Sequence, residues 1–393
     1  MNMKGKAAIV GLGITEVGKV YGRTPTIFAV EAIALALQDA GLTKDDLDGL
    51  LISTGVSGIT PGVPGALTLE LPNALGLCDL KLLNFMNAFG STAAAMVQYA
   101  AMACAAGMTK AVACVFADNP ISAPDKSAGS VYGLAAPRTT GLKSLNLANG
   151  IGAHQFYAMG ARQHMELYGT TSEQLGSIAV AQRKWAMMNP RAQMKKPITL
   201  EDHQASRMIS DPLRLLDCCM VSNGGVAVIV TSAERARTLK QPPVYIWGWG
   251  QGHPGPRKDK LVRTGAATSS QEAYRMAGIT PADVDICEFY DCYTYTALVT
   301  IEDYGFCSKG EGGPFVEDGK TGPGGSLPIN TGGGQLSSFY MWGMTPLSEA
   351  VIQARGQGEE RQVPKHDIIL ASGNGGALDY HSTLVLSPLP DVK

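Results

Sequence analysis

The chain repeats itself. Gly11-Leu12-Gly13 closes one apolar stretch, AAIVGLG, and Gly248-Trp249-Gly250 closes another, VYIWGWG, the step from 11 to 248 being an offset of 237. Ala40-Gly41-Leu42-Thr43 recurs as Ala277-Gly278-Ile279-Thr280 at the same offset of 237, and Asp48 recurs as Asp285. Three registers that agree to the residue describe two copies of one structural unit. Each copy reads as a β-strand followed by a helix (Ile27 to Ala40; Ser269 to Ala277) that ends in Ala-Gly, a C-terminal stop signal. An Asp-containing turn and a second strand (Gly49 to Ser53; Ile286 to Tyr290) come next. A length of 393 residues exceeds what one compact core usually holds, so two units of similar size fit it.

Further along the first copy, Ala93 to Ala106 is a small-residue helix, apolar nearly all round and therefore buried on all sides. It leads into an apolar strand, Lys110 to Phe116, of the kind a sheet covers on both faces. The second copy closes with strands at Asp367 to Ala371 and Ser382 to Leu386. The expected division is 1–118 for the first half, 119–242 for an insertion plus the end of that half, and 243–393 for the second half. The insertion carries polar helices such as SEQLGSIAVAQRKWAMMNP and irregular Pro/Lys stretches, which suit a lid or substrate-binding loop domain. The Gly/Pro-rich stretch Lys309 to Pro328 reads as a mobile surface loop.

Composition excludes several classes. A net charge of −2 offers no broad electrostatic footprint for nucleic acid. Apolar residues make up 45% and charged residues 17%, which suits a large core and an oligomer. No apolar run approaches about 20 residues, so no membrane span is expected. The N-terminus runs straight into a strand without a cleavable signal pattern. The eight cysteines follow no disulfide spacing and contain no C-x-x-C pair, so neither a disulfide framework nor a zinc site is expected. These features predict a reducing, cytoplasmic protein with no permanently bound cofactor or metal. Gly11-Leu12-Gly13 lacks the third glycine and acidic follow-up of a dinucleotide fingerprint. Cys218-Cys219 reads as a core pair, and Trp247 and Trp249 as strand packing.

The strings HMELYGTTSEQLGSIAVAQRKWAMMNP (from His164) and SRMISDPLRLLDCCMVSNGGVAVIV (from Ser206), together with the duplicated halves and central insertion, resemble the thiolase superfamily. The nearest branch is that of the sterol-carrier-protein, or lipid-transfer-protein, thiolases. The resemblance runs along essentially the whole chain. It implies an α/β thiolase fold: two repeated βαβαβαββ halves in a five-layer αβαβα sandwich with an inserted loop domain, built as a homodimer core.

Thiolases carry four catalytic elements, and this chain departs from each. Their nucleophilic cysteine precedes the buried helix; here the string is Asn87-Ala88-Phe89-Gly90-Ser91-Thr92, with Phe89 at the cysteine's place, and a phenyl ring forms no thioester. The HDCF-like motif reads Tyr290-Asp291-Cys292-Tyr293. The Gly-His-Pro motif gives way to GGGQLSSFYMWGMTP, with Phe339-Tyr340 at about that place. The Cys-x-Gly motif reads Ser372-Gly373-Asn374-Gly375-Gly376. YDCYTY with FYMWGMTP resembles the thiolase-fold aldolases that shorten steroid side chains by retro-aldol cleavage of β-hydroxyacyl-CoA thioesters. Their tyrosine pair, carried over, falls on Tyr290 and Tyr340. They work with a separate zinc-ribbon/OB-fold protein, which implies such a partner here, zinc confined to that partner, and coenzyme A present as a substrate moiety.

A retro-aldol step needs a base for the β-hydroxyl, donors for the enolate oxygen and an acid for the α-carbon, and it needs no acyl-enzyme. A tyrosine base starts near pKa 10 and requires a hydrogen bond or a positive charge to bring it down. Backbone amides of Gly332-Gly333-Gly334 and Gly375-Gly376 are candidate oxyanion donors. Phe89, Gly90, Ser91 and Asn374 line the same expected site, and His381 is a weaker candidate. Asp291 either orients a ring hydroxyl or caps a turn. Cys292 is either a displaced nucleophile or an inert filler, and Tyr293 and Tyr295 are more ordinarily packing residues. Arg183, Lys184, Arg191, Lys195 and Lys196 are equally candidates for CoA phosphates or a solvated face. Two other readings stay open: a thiolase of a bulky or aromatic 3-ketoacyl-CoA (benzoylsuccinyl-CoA type) using free CoA, and a non-catalytic acyl-CoA-binding subunit.

Overall fold

The computed structural model describes residues 3–55, 57, 66–124 and 152–390. The first half contributes β1 (Ala7–Ile14), α1 (Pro25–Ala40), β2 (Gly49–Thr54), α2 (Ala66–Leu75), β3 (Leu82–Phe85), α3 (Thr92–Ala105) and β4 (Ala111–Asp118). Helices α4 (Ala153–Tyr168) and α5 (Ser172–Met187) follow, and β5 (Gly224–Ser232) completes the half. The second half runs β6 (Val244–Gly252), α6 (Ala266–Ala277), β7 (Ile286–Glu288), α7 (Thr294–Asp303), α8 (Met344–Ala354), β8 (Ile369–Gly375) and β9 (Tyr380–Ser387).

These strands form one nine-stranded sheet in the order β3-β2-β4-β5-β1-β6-β9-β8-β7. The order is palindromic about the β1/β6 seam, because β6, β9, β8 and β7 repeat the roles of β1, β5, β4 and β2. The seam itself is short: Ala8 pairs with Tyr245 and Ile9 with Val244. Helix α1 covers β1, β5 and β4, and α6 covers β6 and β9, while α3 and α8 touch strands of both halves. The two halves of this one sheet supply two strand layers, with α3 and α8 between them and α1 and α6 outside, which is the five-layer arrangement. One departure from two full βαβαβαββ units is plain. The second half has no counterpart of β3 beyond an isolated parallel bridge between Cys287 and Ile329.

The repeated residues do the same work twice. Gly41 and Gly278 end α1 and α6 with φ of 71° and 70°, conformations open to glycine without steric cost. Asp48 Oδ1 accepts the backbone N–H groups of Lys110 and Ala111 ahead of β4. Asp285 Oδ2 accepts those of Asp367 and Ile368 ahead of β8.

Lys309 to Pro328 differs from the surface loop its composition suggests. It contains a short helix (Gly312–Val316) and buries Val316, Thr321 and Leu327. The Trp185 indole N–H donates to Thr321 O at 3.0 Å, and Glu302 accepts the Gly312 N–H at 2.9 Å. Arg183 is also a structural group: its guanidinium is buried, donating to Ser337 Oγ at 2.9 Å and Lys196 O at 2.7 Å. Such a committed cation is unsuited to a phosphate.

Candidate active site

The start of α3 and the start of α8 meet at the centre of the molecule. Phe89 and Trp342 each precede one of these helices, and both hold positive φ, 51° and 48°. For an L-residue that region costs roughly 1–2 kcal/mol. The surrounding hydrogen bonds are duplicated and impose it. Ala88 N donates to Thr92 Oγ1 at 2.7 Å, and Met341 N donates to Thr345 Oγ1 at 2.9 Å. The tight turn at the place where the resemblance puts a thiolase nucleophile thus carries a phenyl ring at its tip. That ring is 43% exposed and lies 6.0 Å from the Trp342 ring, which packs on Phe116.

Gly90 follows because nothing larger fits. A Cβ there would stand 2.1 Å from the Tyr290 ring and 2.4 Å from Asn374 O. Gly375 is equally tight, 2.2 Å from Ala88 O and 2.8 Å from the Phe89 Cβ. The two glycines let the end of β8, the Phe89 turn and the Tyr290 loop close on one point. There the Tyr290 and Tyr340 hydroxyls lie 3.0 Å apart, with ring centroids at 6.5 Å and 62° between planes. Tyr290 is buried and Tyr340 half-buried. Tyr290 N donates to Ser372 Oγ at 3.1 Å, and Tyr340 N donates to Ser222 Oγ at 3.0 Å, so both backbones are anchored.

Electrostatically Tyr290 is unlike the lowered-pKa tyrosine that a standing base requires. Burial pushes the Tyr290 phenol well above its ordinary range, and the neighbouring Cys292 and Tyr157 push it further. Only the hydrogen bond from Tyr340 acts the other way. Tyr290 is a neutral phenol at rest.

Several expected residues stand elsewhere. Asp291 turns away from the rings, and its carboxylate accepts the backbone N–H groups of Gln335, at 2.9 Å, and Leu336. Its role is to fix the turn after Gly333-Gly334; burial raises its pKa to about 7 against the pull of those amides. Cys292 is buried and its thiol is pushed far up by desolvation, with Tyr157 and Thr296 as hydrogen-bond partners, which disfavours a nucleophile. Gly333 N donates to Asn330 O at 2.7 Å and is committed to that turn. A Cβ on Gly334 would meet the Asp291 carboxylate at 2.2 Å, so this glycine serves the same contact. His381 lies on the opposite face of its strand from Ser382, whose hydroxyl reaches Ser91 O beside the turn. The His381 Nε2 bonds the Tyr304 hydroxyl at 3.0 Å, and burial depresses its pKa to about 3. Asn374 alternates with Gly373 and Gly375, which face the Phe89 turn, so its amide points away as well. Gly376, at φ 63°, turns the chain beside the Tyr380 ring.

The structure also adds residues. Tyr157 on α4 stacks on Tyr293 at 4.5 Å, and His154 Nδ1 meets the Tyr293 hydroxyl at 2.9 Å. The insertion thus closes on the 290–293 loop. Trp342 had a legible signal, since Phe-Gly-Ser-Thr and Trp-Gly-Met-Thr are the same pattern in the two halves; Tyr157 and His154 had none. Among the described residues, no cluster of His, Cys, Asp and Glu could hold a metal, and no helix is long and apolar enough to cross a membrane.

A thiolase C-terminal domain-like family model matches residues 254–388. A 17-hydroxy-3-oxo-4-pregnene-20-carboxyl-CoA lyase of Mycobacterium tuberculosis is 38% identical, over 95% of this chain and 97% of that protein. A steroid side-chain-cleaving aldolase of Thermomonospora curvata is 37% identical, over 95% and 96% respectively. The solved structure of an Ltp2-ChsH2(DUF35) aldolase superposes with a TM-score of 0.86 at 36% identity, covering 98% of this chain and 99% of that one. The chain belongs to the thiolase superfamily, on the sterol-carrier-protein-like branch. Within that branch it is an acyl-CoA lyase of the aldolase kind rather than a cysteine-dependent thiolase, in keeping with Phe89 at the turn.

Proposed function

We propose that this chain cleaves a carbon–carbon bond of a bulky 3-hydroxyacyl-CoA, of the steroid side-chain type, by a retro-aldol reaction run by Tyr290 and Tyr340. The observation that carries the assignment of residues is the 3.0 Å contact between the two phenols beside the turn where thiolases place their cysteine. Retro-aldol cleavage consumes no proton overall. One proton leaves the β-hydroxyl and one arrives at the α-carbon of the shortened thioester. A hydrogen-bonded pair of neutral phenols can do both: one oxygen takes the hydroxyl proton while the pair delivers another to the enolate carbon. No standing phenolate is needed, which suits the raised pKa of Tyr290. The exposed Phe89 ring offers an apolar wall for the departing ketone or aldehyde, and the insertion, through Tyr157 and His154, roofs the site.

The aldolase of matching fold is a complex with a DUF35 protein. A partner of that kind, with a zinc-ribbon and OB-fold, is proposed here as well, together with a homodimer core. Among the described residues β3 is an edge strand of the sheet, and the large apolar side chains of Leu83 on it and of Tyr99 and Met102 on α3 are exposed, which supports the dimer. The test is to co-express the chain with its DUF35-type partner and offer 3-hydroxyacyl-CoA and 3-ketoacyl-CoA, with and without free CoA, following products by mass spectrometry. Cleavage of the hydroxy substrate without CoA supports the reading. Cleavage of the keto substrate alone, and only with CoA present, would sink it.

A further inference from the structure

Two cysteines that the proposed relay does not use lie on backbone segments that pair beside it. Cys218 and Tyr293 form an antiparallel bridge, and the Cys219 N–H donates to Cys292 O at 2.9 Å. Carried one residue further in the antiparallel sense, this isolated bridge sets Cys219 opposite Cys292 with one cross-strand hydrogen bond formed, at a kind of position where Cα atoms ordinarily lie about 5.5 Å apart. Disulfides most often join Cα atoms about 5.5–6 Å apart. Directly opposed side chains leave the same face of the ladder, so both sulfurs project together. Cys218 leaves by the other face, and its Sγ contacts Arg214 O at 3.3 Å. All the cysteines are free thiols in this structure.

We propose that Cys219 and Cys292 form a reversible oxidation site, closed to a disulfide by hydrogen peroxide, which cross-links the 290–293 loop to the segment leaving the insertion. The chemistry balances. The Cys219 thiolate attacks a peroxide oxygen, giving a sulfenic acid and, with a proton, water. The small fraction of Cys292 present as thiolate then attacks that sulfur, forming the S–S bond and expelling hydroxide, which takes up the Cys292 proton as a second water. Two thiols and one peroxide become one disulfide and two waters. Cys219 is half-buried and Cys292 buried, which sets the order of attack. Burial holds both thiols above their ordinary range, so closure is slow near neutral pH and quickens as pH rises and the thiolate fraction grows. Closure would take the Cys292 sulfur away from the Tyr157 hydroxyl and shift the loop that bears Tyr290, lowering turnover.

The loss of turnover rests on the proposed aldolase reading, whereas the cross-link does not. The complex with its partner is treated with hydrogen peroxide near neutral and at mildly alkaline pH, quenched with an alkylating agent, and mapped by peptide mass spectrometry before and after dithiothreitol. Expected is a linked pair of peptides holding Cys219 and Cys292, lighter by two hydrogen atoms, formed faster at the higher pH. Cys219→Ser abolishes it and Cys218→Ser keeps it. Turnover of the hydroxy substrate drops several-fold and recovers with the reductant. Full alkylation of both cysteines after peroxide, or a link through Cys218, overturns the site. A clean Cys219–Cys292 link with unchanged turnover overturns its control of the loop. Failure of the aldolase reading shows separately, as an untreated complex that cleaves nothing while the link still forms.

Discussion

The relay of two neutral phenols makes a pH dependence that a phenolate base does not. Consider raising pH from about 6.5 to about 9 on the wild-type complex and following kcat for the hydroxy substrate. A tyrosine at its ordinary pKa of about 10 is roughly one part in a thousand ionised at pH 7, about 4 kcal/mol short of full ionisation. Were that phenolate the base, kcat would climb about tenfold per pH unit across the range. Tyr290 sits higher still, because burial and the adjacent Cys292 and Tyr157 oppose its ionisation, and only Tyr340 favours it. The relay therefore predicts a flat kcat profile over this window. The same geometry predicts how the variants combine. Tyr290→Phe and Tyr340→Phe each remove one end of a single 3.0 Å hydrogen bond. Each should lower kcat by about 10²–10⁴, and the double variant should fall little below the worse single one, since the pair acts as a unit. Thermal unfolding should change by only about 1 kcal/mol, the net worth of one hydrogen bond. A tenfold-per-unit rise in kcat, or additive losses in the double variant, would refute the relay.

Other expectations follow from the same structure. Gly90→Ala drives a methyl group into the Tyr290 ring; it should cost about 1–3 kcal/mol in denaturant unfolding and lower kcat by displacing the phenol. Asp285→Ala leaves the N–H groups of Asp367 and Ile368 without their acceptor, and should destabilise the second half by about 1–3 kcal/mol, matched by Asp48→Ala in the first. Asp291 has a folded pKa raised to about 7, so the native state binds the proton more tightly than the unfolded one; its contribution favours folding at acid pH and weakens as pH rises from about 4 to about 7. Melting temperatures of Asp291→Asn across that range should lack this decline. Leu83→Lys places a charge on the exposed β3 edge and should convert a dimer to monomer in sedimentation, leaving the fold unchanged by circular dichroism.

Much of the architecture was legible because the repeat is written in residues with fixed backbone duties. Gly41 and Gly278 must turn left-handed, and Asp48 and Asp285 must hold two amides each, so their spacing reports the fold directly. The loss of the nucleophile was legible at Phe89, since the flanking Gly and Thr that shape the turn remain. The meeting of Tyr290 with Tyr340 came through resemblance alone; a separation of 50 positions conceals it from any local pattern. The direction of Asp291 was undecided between two roles because neighbours in a loop differ by one backbone rotation, and only the position of Gln335 and Leu336 decides it. The ionisation of Tyr290 was not legible at all, because it depends on burial, which is a property of the assembled layers. Asn374 and His381 were expected at the site by position in sequence, and strand alternation turns them to the other face.

The strands β4 and β5 carry one more consequence. Asp118 and Gly224 are partners in their ladder, so the whole stretch 119–223 departs and returns within a single pair of facing residues. Topologically it is the loop of a hairpin, however long, and the entropic cost of such a loop grows only with the logarithm of its length. The sheet is thus insulated from what is spliced into it, while the site is not, because α4 lays Tyr157 and His154 against the reactive loop. A change of length within 119–223 therefore leaves the register of β4 with β5 as it is, whereas a change on α4 reaches the 290–293 loop through Tyr157 and His154.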